Sequence, residues 1–272
     1  MTKNQQVIKY LAISFAIFLI ITIFTAIIKT GFSLVEIVDK KITNQDKITN
    51  VCIFTNQEIT NLEIDIKASN LIIQEGSRFV VESNNQDLKC SQSDKKIKIE
   101  DDTNFWLNGD SPDLIITIPK NYNYQEVEIE TGAGKLTIDS LKTRILDLEL
   151  GAGETVINNL EVEKGEIKTG VGAFTIKNGL LNNINFDMGV GKVDIDAKLT
   201  GYNKFKTGIG AFNLNLKGLE NDYQFEINKG LGKVLIGNQE VKDNTILGDG
   251  ANIITIDGGI GMIKVKFQEN KF

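Results

Sequence analysis

The chain has 272 residues, with 25 Gly, two Pro, no His and a net charge of -6. That much glycine argues against a helix-rich fold, because each Gly inside a helix costs about 1 kcal/mol relative to Ala, and so little proline excludes collagen. Without His there is no Ser-His-Asp or Cys-His nucleophile and no His-ligated zinc. An acidic chain with no basic stripe predicts no nucleic-acid partner.

Residues 10–28 carry no charge and are apolar apart from Ser14, Thr22 and Thr25. At about 1.5 Å per residue they nearly match a hydrocarbon core of about 30 Å, which predicts one transmembrane helix with the lipid bilayer as partner. Lys3 and Lys9 precede the run and Lys29 closes it, which favours a cytoplasmic N-terminus at 1–9; Lys40, Lys41 and Lys47 weaken that asymmetry. A cleaved secretory signal is the rival reading, but residues 25–29 (TAIIK) lack an A-x-A-like site, and no Cys follows the run to carry a lipid. The expected topology is a single-pass protein of the bacterial cell membrane with its C-terminal domain extracytoplasmic. Residues 29–50, polar and Lys-rich after Val38, read as a stalk.

Cys52 and Cys90 fall in the part placed outside the membrane, where an oxidising compartment could join them. Two half-buried thiols are an equal alternative, because spacing alone does not fix Cα distances. Short alternating strands follow at Leu62-Glu63-Ile64-Asp65-Ile66, Phe79-Val80-Val81 and Ile97-Lys98-Ile99. Ala68-Ser69-Asn70 stands where a G-x-G motif recurs later, which marks a degenerate first coil. Trp106, in Phe105-Trp106-Leu107-Asn108-Gly109-Asp110, reads first as an aromatic plug for the end of a core and second as a contact site for a sugar or protein. Leu114-Ile115-Ile116-Thr117-Ile118-Pro119 is a strand that leaves its sheet at the proline. Residues 51–131 form the irregular N-terminal part of the domain.

From residue 132 a motif repeats. Gly132-Ala133-Gly134 recurs as Gly151-Ala152-Gly153, Gly170-Val171-Gly172, Gly189-Val190-Gly191 and Gly208-Ile209-Gly210, nineteen residues apart each time. Gly230-Leu231-Gly232 and Gly259-Ile260-Gly261 follow after 22 and 29 residues. Three apolar columns accompany the glycines: Ile129, Leu148, Ile167, Phe186, Phe205, Ile227 and Ile256 before them; Leu136, Thr155, Phe174, Val193, Phe212, Val234 and Ile263 after; then Ile138, Ile157, Ile176, Ile195, Leu214, Ile236 and Val265. Polar residues alternate with these, so each unit is a strand with one buried face. Such units bury that face by stacking. The expected fold is therefore all-β: a single parallel β-solenoid with coils of about nineteen residues over 132–272. Seven coils at about 4.8 Å would give a rod section near 30 Å. Glycine then serves sharp corners, where φ can be positive without a Cβ clash, and the apolar residue between each pair is expected to plug the core there.

Several look-alike motifs lack their chemistry. Gly-x-Gly-Lys at Lys135, Lys192 and Lys233 has neither the Walker spacing nor a following helix to hold a phosphate. Gly258-Gly259-Ile260-Gly261 resembles a calcium-binding nonapeptide, but Ile263 replaces the required Asp. Asp139, Asp194, Asp196 and Asp257 read as solvated faces rather than calcium ligands. Asp194 with Asp196, or Glu128 with Asp147 and Glu149, could in principle serve a carbohydrate-active enzyme, yet every exposed strand carries similar acids. No catalytic, cofactor-binding or metal site is assigned and no cofactor is expected. In the last strand, residues 262–267, no cap follows, so its edge is expected to be open for self-association or a partner strand, blunted by Lys264 and Lys266.

The order of Asp113–Pro119, then Val127-Glu128-Ile129-Glu130-Thr131, then Gly132-Ala133-Gly134-Lys135-Leu136-Thr137-Ile138 resembles the bacterial putative-adhesin domain family with β-strand repeats, over residues 60–267. Membership implies a repeat architecture, no catalytic residues to carry over, and, from membrane-anchored members beside Lia-type envelope-stress systems, a place at the cell envelope. The function expected is a non-enzymatic, membrane-anchored scaffold with an envelope or membrane protein as partner. An adhesin or glycan-binding domain is the first alternative and a carbohydrate-active β-helix enzyme the second.

Overall fold

The computed structural model describes residues 50–54, 59–101 and 112–268. The chain divides into two compact units, Met1–Gln45 and Asp46–Phe272; the first, with the span expected at 10–28, lies outside the described residues, as does Trp106. Among the described residues no helix is long and apolar enough to cross a membrane.

Asp46–Phe272 is all-β apart from one short 3-10 turn at Glu220–Asp222 among its described residues. Its strands are β1 (Asn50–Ile53), β2 (Asn61–Gly76), β3 (Val80–Ser83), β4 (Leu88–Ser93), β5 (Lys96–Asp101) and β6 (Asp113–Pro119). A 60-residue ribbon follows, β7 (Asn123–Asn182), then β8 (Ile184–Thr200), β9 (Tyr202–Lys206), β10 (Ile209–Lys217), β11 (Tyr223–Asn228) and β12 (Leu231–Ile236). Two short strands, β13 (Gln239–Glu240) and β14 (Thr245–Leu247), precede β15 (Asn252–Asp257) and β16 (Ile260–Gln268).

Successive coils stack in parallel register. In β2 and β7, Leu62, Ile64, Leu71 and Ile73 stand beside Val127, Ile129, Leu136 and Ile138. Ala68 and Ser69 fall opposite Ala133 and Gly134, so the degenerate corner occupies a full place in the stack. The same alignment joins β7 to β8 and β8 to β10. Every residue of the three apolar columns is buried, because alternation sends each second side chain inward. At mid-rod the columns are aromatic: Phe174 meets Phe186 at a centroid distance of 5.3 Å, and Phe205 meets Phe212 at 5.3 Å. One inward position holds Asn203, whose Oδ1 accepts from the Ile184 amide and whose Nδ2 donates to the Thr200 carbonyl, so its burial leaves no polar atom unpaired.

The expectation of a purely parallel sheet is corrected at the two ends, where the sheet is mixed. β1 runs antiparallel to β3, β3 to β6 and β4 to β5; β13 runs antiparallel to β12 and β14 to β11. A parallel coil needs another coil to cover it, whereas a hairpin can turn back and cover the last one, so antiparallel strands serve as caps. Cys52 on β1 and Cys90 on β4 form a disulfide across 38 residues, which closes the N-terminal cap. On the chain-entropy model a loop of that length is worth about 4 kcal/mol.

Stacking order departs from chain order at both ends. β2 lies between β7 on one side and β5 and β6 on the other, although β5 and β6 come later in the chain. Likewise β15 lies between β9 and β11, and β16 between β10 and β12. The last coil in sequence is thus second to last in space. This corrects the expectation of an open edge at 262–267: Met262, Ile263, Lys264 and Val265 have a strand on each side.

Candidate interaction surface

Three features of the outer surface follow from the stack: a glycine corner, self-paired polar ladders and one acidic face.

At the corner the two glycines of each motif do different work. The second has positive φ, from +126° at Gly134 to +158° at Gly232, a region that other residues rarely enter. The first has no such φ but lies against the neighbouring coil: a Cβ on Gly151 would stand 2.0 Å from the Gly132 carbonyl oxygen. Side chains are thereby excluded from the junction between coils. The expectation that the residue between the glycines plugs the core is corrected here. Only Ala68 is buried in that column; Val171 and Val190 are half-buried, and Ile260 and Leu231 are 51% and 74% exposed. In stacking order the column runs Ala68, Ala133, Ala152, Val171, Val190, Ile209, Ile260, Leu231, an apolar ridge that grows toward the C-terminal cap. The order is hidden in the sequence because Leu231 precedes Ile260 in the chain. Two troughs along this corner enclose about 30 and 10 Å³, room for a water molecule and little more.

Away from the corner, polar side chains nineteen residues apart pair across coils. Lys135 meets Glu154 at 3.2 Å, Lys142 meets Glu161 at 2.6 Å, Arg144 meets Glu163 at 3.2 Å and Lys168 meets Glu149 at 2.6 Å. Asn158 donates to Asp139, Asn178 to Asn159, and Asn213 and Asn215 to Asp194 and Asp196. Each exposed ion pair contributes little on its own; together they match the register that the buried columns set.

The acidic residues stand on two faces of the stack. Asp194, ion-paired to Lys192 at 2.6 Å, and Asp196 lie on the face after the corner. Asp257 belongs to the face before it, held by Lys204 at 2.8 Å and by the Asn228 amide. Burial opposes its charge, yet those two partners outweigh burial and keep its carboxyl below the ordinary range. Glu128, Asp147 and Glu149 share a face, with Glu63 and Glu166 in the same neighbourhood. Burial, then the neighbouring Glu63 charge, pushes the Glu128 carboxyl up. Burial pushes Asp147 up as well, partly offset by Lys168, and its Oδ1 is buried without a hydrogen-bond partner. Glu63 goes the other way, because Lys96 and Lys98 pair with it. Among the described residues no group of three or more Cys, Asp and Glu could hold a metal ion. Lys135, Lys192 and Lys233 stand on separate strands, each paired with a carboxylate: Glu154, Asp194 and Glu240.

A β-solenoid paved with glycine corners and closed by hairpin caps defines a class of repeat domains whose surface, rather than a cavity, is available to others. Within that class the chain belongs to the Toastrack DUF4097 family, whose model matches residues 59–245. The chain is similar to a putative cell adhesion protein from Clostridium sporogenes (16% identity, 80% of this chain and 98% of that one, TM-score 0.38). It is also similar to a putative adhesin from Bacteroides fragilis (15% identity, 79% of this chain and 96% of that one, TM-score 0.46). No curated protein matches.

Proposed function

We propose that the chain is a non-enzymatic protein-interaction scaffold of the bacterial cell envelope, anchored by residues 10–28, with its solenoid outside the membrane and an envelope or membrane protein as partner, in an envelope-stress response. The observation that carries this reading is the outer surface itself: broad ladders satisfied by their own neighbours, with corner troughs of 30 and 10 Å³ where small-molecule sites need some hundreds of Å³. A rigid, flat surface of this kind suits contact with macromolecules. The uncharged run at 10–28 and the Cys52–Cys90 disulfide support the extracytoplasmic placement.

The adhesin reading shares this surface and differs in the occupant. A glycan-binding face would favour a ladder of exposed aromatics, and among the described residues the one markedly exposed aromatic is Tyr202, at 71%. Protein contact is therefore the better-supported form. Crosslinking in intact cells, followed by identification of what is attached, tests it: an envelope protein captured through the solenoid is the expected result. Recovery of glycans alone would favour adhesion, and recovery of lipid and self-contacts alone would overturn the scaffold reading.

A further inference from the structure

One outer face near the C-terminal end of this acidic protein is locally basic. Three adjacent strands, β10, β16 and β12, carry no carboxylate and hold Lys217, Lys233, Lys264 and Lys266, of which Lys233 lies 3.8 Å from Glu240 on the adjoining β13. Register sets Leu231 beside Ile260 and Lys233 beside Met262. Leu231, Ile260 and Met262 are 74%, 51% and 39% exposed. The apolar corner ridge thus ends in its largest and most exposed side chains, bordered by lysines. Lys264 and Lys266 alternate with core residues on β16 and have no ion-pair partner among the described residues.

From this arrangement we infer that the corner formed by Leu231, Ile260 and Met262, with the unpaired Lys264 and Lys266, docks on an anionic phospholipid surface. Charge complementarity and shape select this occupant. The lysines call for an anionic partner, and a second copy meeting through the same patch would set lysine against lysine. A bound peptide would need a groove for its side chains, whereas the trough lined by Lys233, Ile260 and Met262 encloses about 10 Å³ and Leu231 and Ile260 are more than half exposed. Protruding Leu, Ile and Met flanked by Lys is the pattern that sinks into a headgroup layer while ammonium groups meet lipid phosphates. The inference rests on the membrane-anchored reading for its strength: residues 29–49 could extend about 70 Å, beyond a stack of eight corners at roughly 35 Å. A tether of that length keeps the patch at high effective concentration near the bilayer, so a few side chains suffice.

The test uses the full chain in lipid nanodiscs, with Trp106→Phe removing the native indole and Leu231→Trp placing one at the ridge. Doxyl-labelled lipid quenches an indole that enters the headgroup layer. The expected result is at least about two-fold more quenching in phosphatidylglycerol-containing discs than in phosphatidylcholine discs, lost at high salt as screening shortens to about 3 Å and lost again with Lys264→Glu and Lys266→Glu. Lys177→Trp, on an exposed mid-rod position, should stay unquenched. Quenching at Leu231→Trp no greater than at Lys177→Trp, or indifferent to the charge reversals, overturns the inference; so does a stable dimer that shields the indole. Failure of the chain to enter the discs contradicts the anchor instead, and the same probes on preformed vesicles of these compositions then decide the patch separately.

Discussion

Glycine in this protein is required for two reasons that a composition count merges. Gly172 has φ +145°, and a Cβ there would stand 1.8 Å from the Gly153 carbonyl oxygen. Gly237 has φ +60°, a left-handed value that Asn tolerates, and its Cβ would meet nothing closer than Phe267 at 4.0 Å. Gly172→Val should therefore cost at least about 1–3 kcal/mol through backbone strain, and the clash with the neighbouring coil adds to that. Gly237→Asn should change stability by less than about 1 kcal/mol. Urea titrations of the two variants check the contrast. The acidic face makes a second prediction at this scale. A carboxyl with a raised folded-state pKa disfavours the fold while charged, and the penalty is relieved as pH falls through the folded value toward the unfolded one. Glu128 and Asp147 are of this type. Glu63 and Asp257 are depressed, so their stabilisation is full above the ordinary carboxylate range and is lost as pH falls from there through their lower folded values. Replacing Glu128→Gln and Asp147→Asn together should raise Tm at pH 7, and the gain over the unsubstituted protein should shrink as pH falls toward the ordinary carboxylate range, as read from thermal melts at descending pH.

At the level of elements, coil order governs which segments depend on one another. The coil made of β11 and β12 stacks on β15 and β16, not on the coil that precedes it in sequence. Ending the chain at residue 249 should therefore expose Phe225, Ile227, Val234 and Ile236 along with the missing strands, while the coils of β7 and β8 persist. Hydrogen exchange of the truncated protein would show residues 223–236 unprotected; their continued protection would mean that this coil can stack directly on β9 and β10. The repeat itself is legible in sequence, since the nineteen-residue spacing and the two-residue alternation each leave a direct mark on Gly132 to Gly210. The inverted ends are not, because Gly230-Leu231-Gly232 and Gly259-Ile260-Gly261 satisfy the same stacking rules and their order depends on where the intervening β13 and β14 turn back. The outward ridge escapes sequence reading for a related reason: alternation predicts in and out along a strand but gives no rule at a corner, where the chain changes direction. The acidic grouping of Glu128, Asp147 and Glu149 is visible from spacing, whereas the burial that shifts two of them depends on neighbouring coils.

Across the whole domain, the stack and its caps combine into one continuous core that runs from Ile59 to Val265. An ordinary solenoid loses its terminal repeats first, since each end repeat has one neighbour. Here the outer coils are tied down by the antiparallel strands and, at the N-terminal cap, by the Cys52–Cys90 disulfide. The strands nearest the C-terminus lie inside the stack. Such closure keeps the outer faces in fixed relation, which is what an interaction surface needs in order to present several ladders at once. Native-state hydrogen exchange on the full chain tests this interlocked stack most directly. Amides at 254–256 and 263–265 should be protected as strongly as those of β8, while residues 239–247 exchange first. Protection that declines steadily in chain order from β10 to residue 268 would contradict the interlocked stack.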